Sequence, residues 1–327
     1  MTSSDSDSSR TGGGPGPKLA FAPGDVVAGR YKIIDLVGSG GTGEVYRATD
    51  QALGGTVALK TLKHAVAKHP VLLERFRREA QNALRVTHPN VCRIRDIGLH
   101  ATGTQRRFFL TMELLDGESL AVRLASRLPF STGEALPIVA QIAAGLQAAH
   151  DSSVVHRDLK PGNVMLLPPS PGSAAPRAII TDFGLAISEE QIALGLTESS
   201  ELIGTPEYMA PEQTEPGSAA PTIDIYALGI ITYEMLTKRR PFASGATPVE
   251  TLLLRRHDPP EPLRAALPDA DPVWEAAILR CLERDPARRW ARAADFATAL
   301  TERAVPPSPG EEKRRWFGRG VRKTRGR

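Results

Sequence analysis

Short apolar runs alternate with glycine clusters through the first third of the chain, and longer helical periodicities take over afterwards. Tyr31 to Val37, Glu44 to Thr49 and Thr56 to Thr61 are rich in apolar and β-branched residues. Glycine clusters at Gly38-Ser39-Gly40-Gly41 and Gly54-Gly55 separate them, which predicts antiparallel strands joined by turns. From Pro70 to Val86, the residues Leu72, Leu73, Phe76, Ala80, Ala83 and Leu84 recur at helical spacing among charges. Further strands are expected over 93–99 and 107–112. After Asp116-Gly117 the period lengthens. Ala135, Leu136, Ile138, Val139, Ile142, Ala143 and Leu146 predict a strong helix, and similar patterns recur over 223–236, 273–282 and 291–300. A strand-rich first part thus gives way to a helix-rich second part near residue 116, an α+β arrangement. Residues 168–176 form a Pro/Ser/Gly insert between two short apolar runs, expected as an extended hairpin tip. There is no internal repeat.

Composition adds the outline. At 327 residues the chain is long for one core and comfortable for two lobes. Residues 1 to 26 are rich in Ser, Gly and Pro with few large apolar groups, which predicts a flexible arm. The net charge of +4 hides an asymmetry: residues 311–327 carry eight Lys/Arg against two Glu, so the remainder is slightly negative. Residues 304–327 are expected as a basic disordered tail. Its Trp316 and Phe317 among cations suggest contact with an anionic membrane or nucleic acid, against the plainer reading of a solvated tail. No run approaches the ~18 apolar residues of a membrane helix, and the N-terminus lacks a secretory pattern. Cys92 and Cys281 stand far apart and outside any CxxC spacing, which disfavours a disulfide framework or zinc site and fits a cytoplasmic setting.

The densest chemistry lies in Val155-His156-Arg157-Asp158-Leu159-Lys160-Pro161-Gly162-Asn163. A carboxylate, an ammonium and a carboxamide fall within six positions, Asp158, Lys160 and Asn163. Such a set can deprotonate a hydroxyl, neutralise a transferring phosphate and hold a magnesium ion. Asp182-Phe183-Gly184 adds a second metal-ligand carboxylate. Upstream, Gly38, Ser39, Gly40, Gly41, Thr42, Gly43, Glu44 and Val45 fit GxGxxGxV, whose glycines let backbone amides approach phosphate oxygens. Dinucleotide sites share the pattern, but they place a helix after the glycines, and strand-like Val45-Tyr46-Arg47 follows here. Val57-Ala58-Leu59-Lys60 ends an apolar run on a lysine. It is either a surface Lys on an edge strand or an ammonium gripping phosphates, with Glu79 as the acidic partner.

In order along the chain stand the Gly loop, Lys60, Glu79, the 156–163 loop, Asp182-Phe183-Gly184, Ala210-Pro211-Glu212, Asp224 and Arg289. This series resembles the eukaryotic-type (Hanks-type) serine/threonine protein kinases found in bacteria, over residues 29 to 302. The resemblance implies a bilobal kinase fold: a small β-rich N-lobe with one helix over 27–116 and a larger helical C-lobe over 117–303. It implies ATP as phosphate donor with Mg2+, Mn2+ being the other candidate. By the same resemblance Asp158 accepts the substrate hydroxyl's proton, Lys160 steadies the γ-phosphate, Asn163 and Asp182 hold the metal, and Lys60 with Glu79 positions the α- and β-phosphates. Val45, Ala58, Met112, Leu114 and Met165 are expected around the adenine, with the backbone of Glu113 and Leu115 on its edge. Ser119 or Glu118 is expected at the ribose.

The resemblance also bears on the substrate. Lys160 points to protein Ser/Thr hydroxyls, and residues 204–212 resemble the peptide-docking end of an activation segment, with Thr205 supporting Asp158 and Lys160. Gly162 lacks the carboxylate that arginine-directed kinases carry there. Arg157 before the catalytic Asp implies activation by a phosphate on Thr197, Ser199 or Ser200, placed by autophosphorylation in trans through self-association. Asp224 is expected to hold the catalytic loop, and Glu212 to pair with Arg289. A pseudokinase scaffold is the rival reading. It would be expected to lack Lys60, Asp158, Asn163 or Asp182, and all four are present.

Overall fold

The computed structural model describes residues 19–40, 43–61, 78, 81–103, 105–183, 206–214, 220–242 and 247–301. Gly41, Thr42, Glu79, Gly184, Thr197, Ser199, Ser200, Thr205, most of the helix expected over 70–86 and the basic tail lie outside them. The chain folds as two compact units, which part at Asp116 and Gly117, with residues 89–91 belonging to the second.

The first unit is built on a six-stranded antiparallel sheet. Its strands are β1 (Val26–Val27), β2 (Tyr31–Gly40), β3 (Gly43–Asp50), β4 (Thr56–Thr61), β5 (Ile94–Thr102) and β6 (Gln105–Met112). The spatial order is β1-β2-β3-β4-β6-β5. Alternation along each strand gives the sheet two faces of different character. Tyr31, Ile33, Tyr46, Ala48, Val57, Leu59 and Phe109 form a buried cluster with Phe21 and Val27. The opposite parity puts Val45 beside Lys60, and Ala58 beside Met112, as cross-strand partners. Four of the residues expected to hold a nucleotide therefore share one face.

The flexible arm expected over residues 1 to 26 is corrected for its described part. Phe21 is buried, its amide donates to the Tyr46 hydroxyl at 3.1 Å, and its ring meets Tyr46 edge-on at 5.7 Å. The Ala20 amide donates to the Glu44 carboxylate at 2.9 Å, and Gly24 N–H to the Ile33 carbonyl at 2.9 Å. One aromatic ring buried on the sheet offsets the ordering of several small residues. A compositional average cannot register it.

The second unit is mainly helical among the described residues. It contains β7 (Glu118–Ser119), α1 (Leu120–Ser126), α2 (Thr132–Asp151), β8 (Val164–Leu167), β9 (Arg177–Ile180), α3 (Thr222–Thr237), α4 (Pro248–His257), α5 (Leu263–Ala266), α6 (Pro272–Cys281) and α7 (Ala293–Thr301). Helix α2 starts with a capping box between Ser131 and Glu134, which satisfies two end groups reciprocally. Its stripe of Ala135, Ile138, Val139, Ile142, Ala143 and Leu146 is buried. Gly145 lets it pass close by: a Cβ there would lie 2.8 Å from the Asn90 carbonyl oxygen. Hairpin β8–β9 carries the 168–176 insert at its tip. Gln141 of α2 fastens the return, donating to the Pro176 carbonyl at 2.9 Å and accepting from the Ala178 amide at 3.0 Å. Helix α3 is buried on nearly every side, Asp224 and Thr232 included, as befits a helix apolar all round. Among the described residues no helix is long and apolar enough to cross a membrane.

Candidate active site

The catalytic loop follows the C-terminus of α2 and is held from beneath by one buried carboxylate. Asp224 is fully buried on α3. It accepts from the His156 amide at 2.8 Å, the Arg157 amide at 2.9 Å and the His150 imidazole at 2.8 Å. Burial alone would raise its pKa. The hydrogen bond and charge of His150 and the hydrogen bond from the His156 amide outweigh that and hold the carboxyl below its usual range. Arg157 has φ of 65°, a left-handed conformation uncommon outside glycine.

His156 joins this loop to the segment carrying Asp182. Its ring is buried and sits 2.8 Å by Nε2 from the Thr181 carbonyl, while the Asp158 amide lies 3.3 Å from Nδ1. A carbonyl on one nitrogen and an N–H on the other select the tautomer with hydrogen on Nε2. The ring also packs against buried Phe183, centroid to centroid 4.8 Å. Thr181 N–H donates to the Asn163 carbonyl at 2.9 Å, so residues 156, 163 and 181 form one network. Asp182 follows at φ of 64°, again left-handed.

Within this frame the reactive groups touch. Lys160 Nζ donates to Asp158 Oδ2 at 2.7 Å, and Asn163 Nδ2 donates to the Asp158 carbonyl at 2.8 Å and to Oδ2 at 3.3 Å. The Asp158 side chain is 16% and that of Lys160 24% exposed, so both are partly open to solvent. Committing the Asn163 NH2 to Asp158 turns its Oδ1 the other way. That oxygen and the Asp182 carboxylate are hard donors suited to Mg2+ or Mn2+. Two such donors fit a metal whose remaining sites are filled by phosphates and water.

In the first unit Lys60 is only 2% exposed, which removes the surface-lysine reading. Strand register places it opposite Val45 on one side and Leu110 on the other. Gly38 to Gly40 and Gly43 to Val45 are paired arms of β2 and β3. Gly43, at φ of 149°, holds a conformation that side-chain-bearing residues rarely adopt. Met112 and Ala58 are buried. The Glu113 amide is already donated to the Arg93 carbonyl at 3.1 Å, and its side chain accepts from the Arg93 amide at 3.1 Å. The expectation that the Glu113 backbone meets the adenine edge thus narrows to its carbonyl. In the second unit Met165 lies on β8, opposite Ser119 and Ile179. The ribose expectation weakens: Ser119 caps α1 by accepting from the Val122 amide at 3.2 Å, and Glu118 pairs with Arg127 at 3.3 Å.

The segment 206–214 is fixed at several points. Tyr208 OH donates to Glu234 at 2.5 Å, and Glu207 pairs with Arg240 at 3.4 Å. The Gln213 side chain donates from Nε2 to the Arg157 carbonyl at 2.9 Å. Glu212 receives a bidentate pair from buried Arg289 at 2.6 and 2.8 Å. Arg289 also donates to the carbonyls of Thr222, Glu283 and Arg284. Arg289→Ala leaves Glu212 and three carbonyls without their donor, and is expected to cost about 3–5 kcal/mol. Chemical denaturation with unchanged slope would read this as a lower midpoint.

His150 and Gln213 are not legible in the sequence, because each acts through a partner distant in the chain. In the sequence Glu44 stands at the end of the glycine stretch and the start of a strand-like run, neither of which shows its partners. It also accepts a very short hydrogen bond from Tyr46, whose hydroxyl pKa is pushed up to about 12, first by burial and then by that bond.

The comparisons agree with this geometry. A family model described as protein kinase domain matches residues 31–301. The chain is 35% identical to the serine/threonine-protein kinase PknA of Mycobacterium tuberculosis over 293 residues, 88% of this chain and 65% of that protein. It is 36% identical to the serine/threonine-protein kinase pkn3 of Myxococcus xanthus, across 85% of this chain and 50% of that protein. The chain thus spans between half and about two-thirds of the length of these relatives. The crystal structure of the Mycobacterium tuberculosis PknI kinase domain superposes with a TM-score of 0.67 at 27% identity, covering 86% of this chain and 98% of that domain. With the catalytic loop's bonding in place and the family model spanning most of its length, the chain belongs to the protein kinase family, in its bacterial Hanks-type serine/threonine branch.

Proposed function

We propose that this protein transfers the γ-phosphate of ATP to serine or threonine hydroxyls of other proteins. The observation that carries the reading is the contact of Asp158, Lys160 and Asn163 on a loop held by buried Asp224. Asp158 orients the incoming hydroxyl and accepts its proton. Lys160, 2.7 Å away, shares that carboxylate in the free enzyme and turns to the γ-phosphate when substrate binds. Positioning and charge neutralisation then supply most of the rate. Mg2+, or Mn2+ in its place, neutralises phosphate charge when bound, and Asn163 Oδ1 and Asp182 hold it. Lys60 meets the α- and β-phosphates, with Glu79 as its partner. Amides of 38–43 cover the phosphates. Val45, Ala58, Met112 and Met165 contact the adenine, and the Glu113 carbonyl with Leu115 meets its edge. Residues 204–212 dock the peptide.

Transfer of label from γ-labelled ATP to a protein substrate, with the metal removed by chelation and restored as Mg2+ or Mn2+, tests the reading. Label that survives chelation would refute it. Lys60→Met, which keeps the stem and removes the charge, is expected to lower kcat/KM for ATP by about 10²-fold. It should leave the melting temperature near wild type, and an unchanged ATP profile would remove Lys60 from the site. The pseudokinase reading gains no support, since Lys60, Asp158, Asn163 and Asp182 are all present.

Activation belongs to the same proposal. A phosphate on Thr197, Ser199 or Ser200, placed in trans by a second copy, pairs with Arg157. Mass spectrometry after incubation with ATP should find it, and an active enzyme unmodified there would contradict it. A cytoplasmic location and contact of the tail with anionic lipid or nucleic acid rest on composition alone. Liposome sedimentation with and without residues 305–327 reads the lipid contact.

A further inference from the structure

Glu44 fills the last variable position of the GxGxxGxV pattern, and it is held from two directions. It pairs across the sheet with Ser39, one step from the Gly40–Gly43 pair that ends the ladder. Its main chain is fixed from β4. The Glu44 amide donates to the Thr61 hydroxyl at 3.2 Å, and that hydroxyl donates to the Glu44 carbonyl at 3.3 Å. Thr61 is buried and comes directly after Lys60.

The side chain is fixed by a segment far from it in sequence. Alternation puts Glu44 on the face of Tyr46, opposite Val45. Its carboxylate accepts from the Tyr46 hydroxyl and, at 2.9 Å, from the Ala20 amide. The Phe21 amide donates to the same hydroxyl at 3.1 Å. The Phe21 ring stands edge-on to Tyr46 at 5.7 Å and to His100 at 5.4 Å. Further along, Gly24 N–H donates to the Ile33 carbonyl at 2.9 Å and Ile33 N–H to the Asp25 carbonyl at 2.8 Å. Residues 20–25 thus form a strap across the sheet, tied at one end to Glu44.

A carboxylate one residue from amides that bind phosphate weakens phosphate binding by its charge. Its bonds act in the other direction. Hydrogen bonds to an ionised acceptor are stronger than neutral ones, and here they hold the returning arm from behind. Glycine arms lose much backbone freedom when they close over a ligand. An arm restrained at its root has part of that ordering in place before the ligand arrives.

We infer that Glu44 is a positioning residue for ATP, which couples the strap at residues 20–25 to the two arms that cover the phosphates. The inference rests on the protein kinase reading for its ligand.

Calorimetric titration of the full chain with ATP and Mg2+ tests it. Glu44→Ala is expected to raise the Kd for ATP about fivefold. Glu44→Gln, whose carbonyl oxygen can accept the same two bonds, should stay within about twofold of the wild type. Ala20→Pro removes the amide donor, keeps the carboxylate, and should raise the Kd about threefold. Both substitutions together should bind no more weakly than Glu44→Ala alone, because they break the same link. The kcat at saturating ATP and the KM for a serine peptide should change less than about twofold in Glu44→Ala.

Charge alone predicts the opposite sign, a lower Kd in Glu44→Ala. A Kd that falls or stays unchanged there would overturn the inference, whatever happens to the melting temperature. Additive effects of the two substitutions would overturn it as well. Should Glu44→Ala fail to fold, Ala20→Pro decides alone by the same titration. A wild type that binds ATP with this dependence but transfers no phosphate would count against the kinase reading and leave the role of Glu44 standing. One that binds no ATP would overturn both.

Discussion

Replacing Asp158 by Asn is expected to lower kcat by about 10³-fold while leaving ATP binding within about twofold. The carboxylate is the group placed to take the hydroxyl proton. An amide of the same shape keeps the packing but cannot accept a proton at neutral pH. It would also weaken the 2.7 Å contact with Lys160, freeing the ammonium. Single-turnover measurements with labelled ATP, beside equilibrium nucleotide binding, separate the two effects. Loss of binding together with rate would mean that Asp158 holds the loop rather than performs the chemistry.

Asp224→Asn is expected to damage both stability and rate, for a different reason. The carboxylate accepts from three donors, the amides of His156 and Arg157 and the ring of His150. An asparagine supplies one acceptor oxygen and turns an NH2 toward a remaining N–H. A buried donor facing a donor, with the charge gone, costs about 3–5 kcal/mol. The loop it releases carries Asp158, and a shift of about 1 Å there can cost about 10²-fold in rate. The pH dependence follows from the direction of the shift. A carboxyl held below its unfolded value stabilises the fold fully above about pH 4, and the contribution fades as pH falls through the lower folded value. Acid unfolding of the wild type should thus include a step that Asp224→Asn lacks. Near neutral pH the two proteins should show parallel, displaced stability curves. A variant with wild-type melting and rate would show that the three hydrogen bonds do not hold the loop.

The sequence was most legible where local pattern and tertiary role coincide. Strands β2, β3 and β4 alternate small, β-branched and polar residues between glycines, helices α2, α6 and α7 carry periodic apolar stripes, and α3 is apolar all round. Both signals survive without knowledge of partners. The loop 156–163 was legible for another reason, since its chemistry depends on residue types at fixed short spacing. Where partners lie far along the chain, the reading failed. Phe21 sits in a stretch of Pro, Gly and Ser, and only the face containing Tyr46 shows why it is buried. Strand β1 is two residues long, too short for any period. Helix α4 places Arg255, Arg256 and His257 at its end, and a charged stretch reads as surface. Its Arg255 is buried because the Met209 carbonyl and the Phe242 ring receive it. Nor could spacing reveal that the Glu113 amide is already bonded to Arg93, or that Ser119 caps a helix.

The most direct measurement is phosphoamino-acid analysis of a protein substrate after incubation with γ-labelled ATP, using the wild type and Asp158→Asn side by side. The account predicts phosphoserine and phosphothreonine from the wild type and a signal near background from the variant. Label confined to phosphotyrosine, equal label from both proteins, or none from a folded, ATP-binding wild type would contradict it.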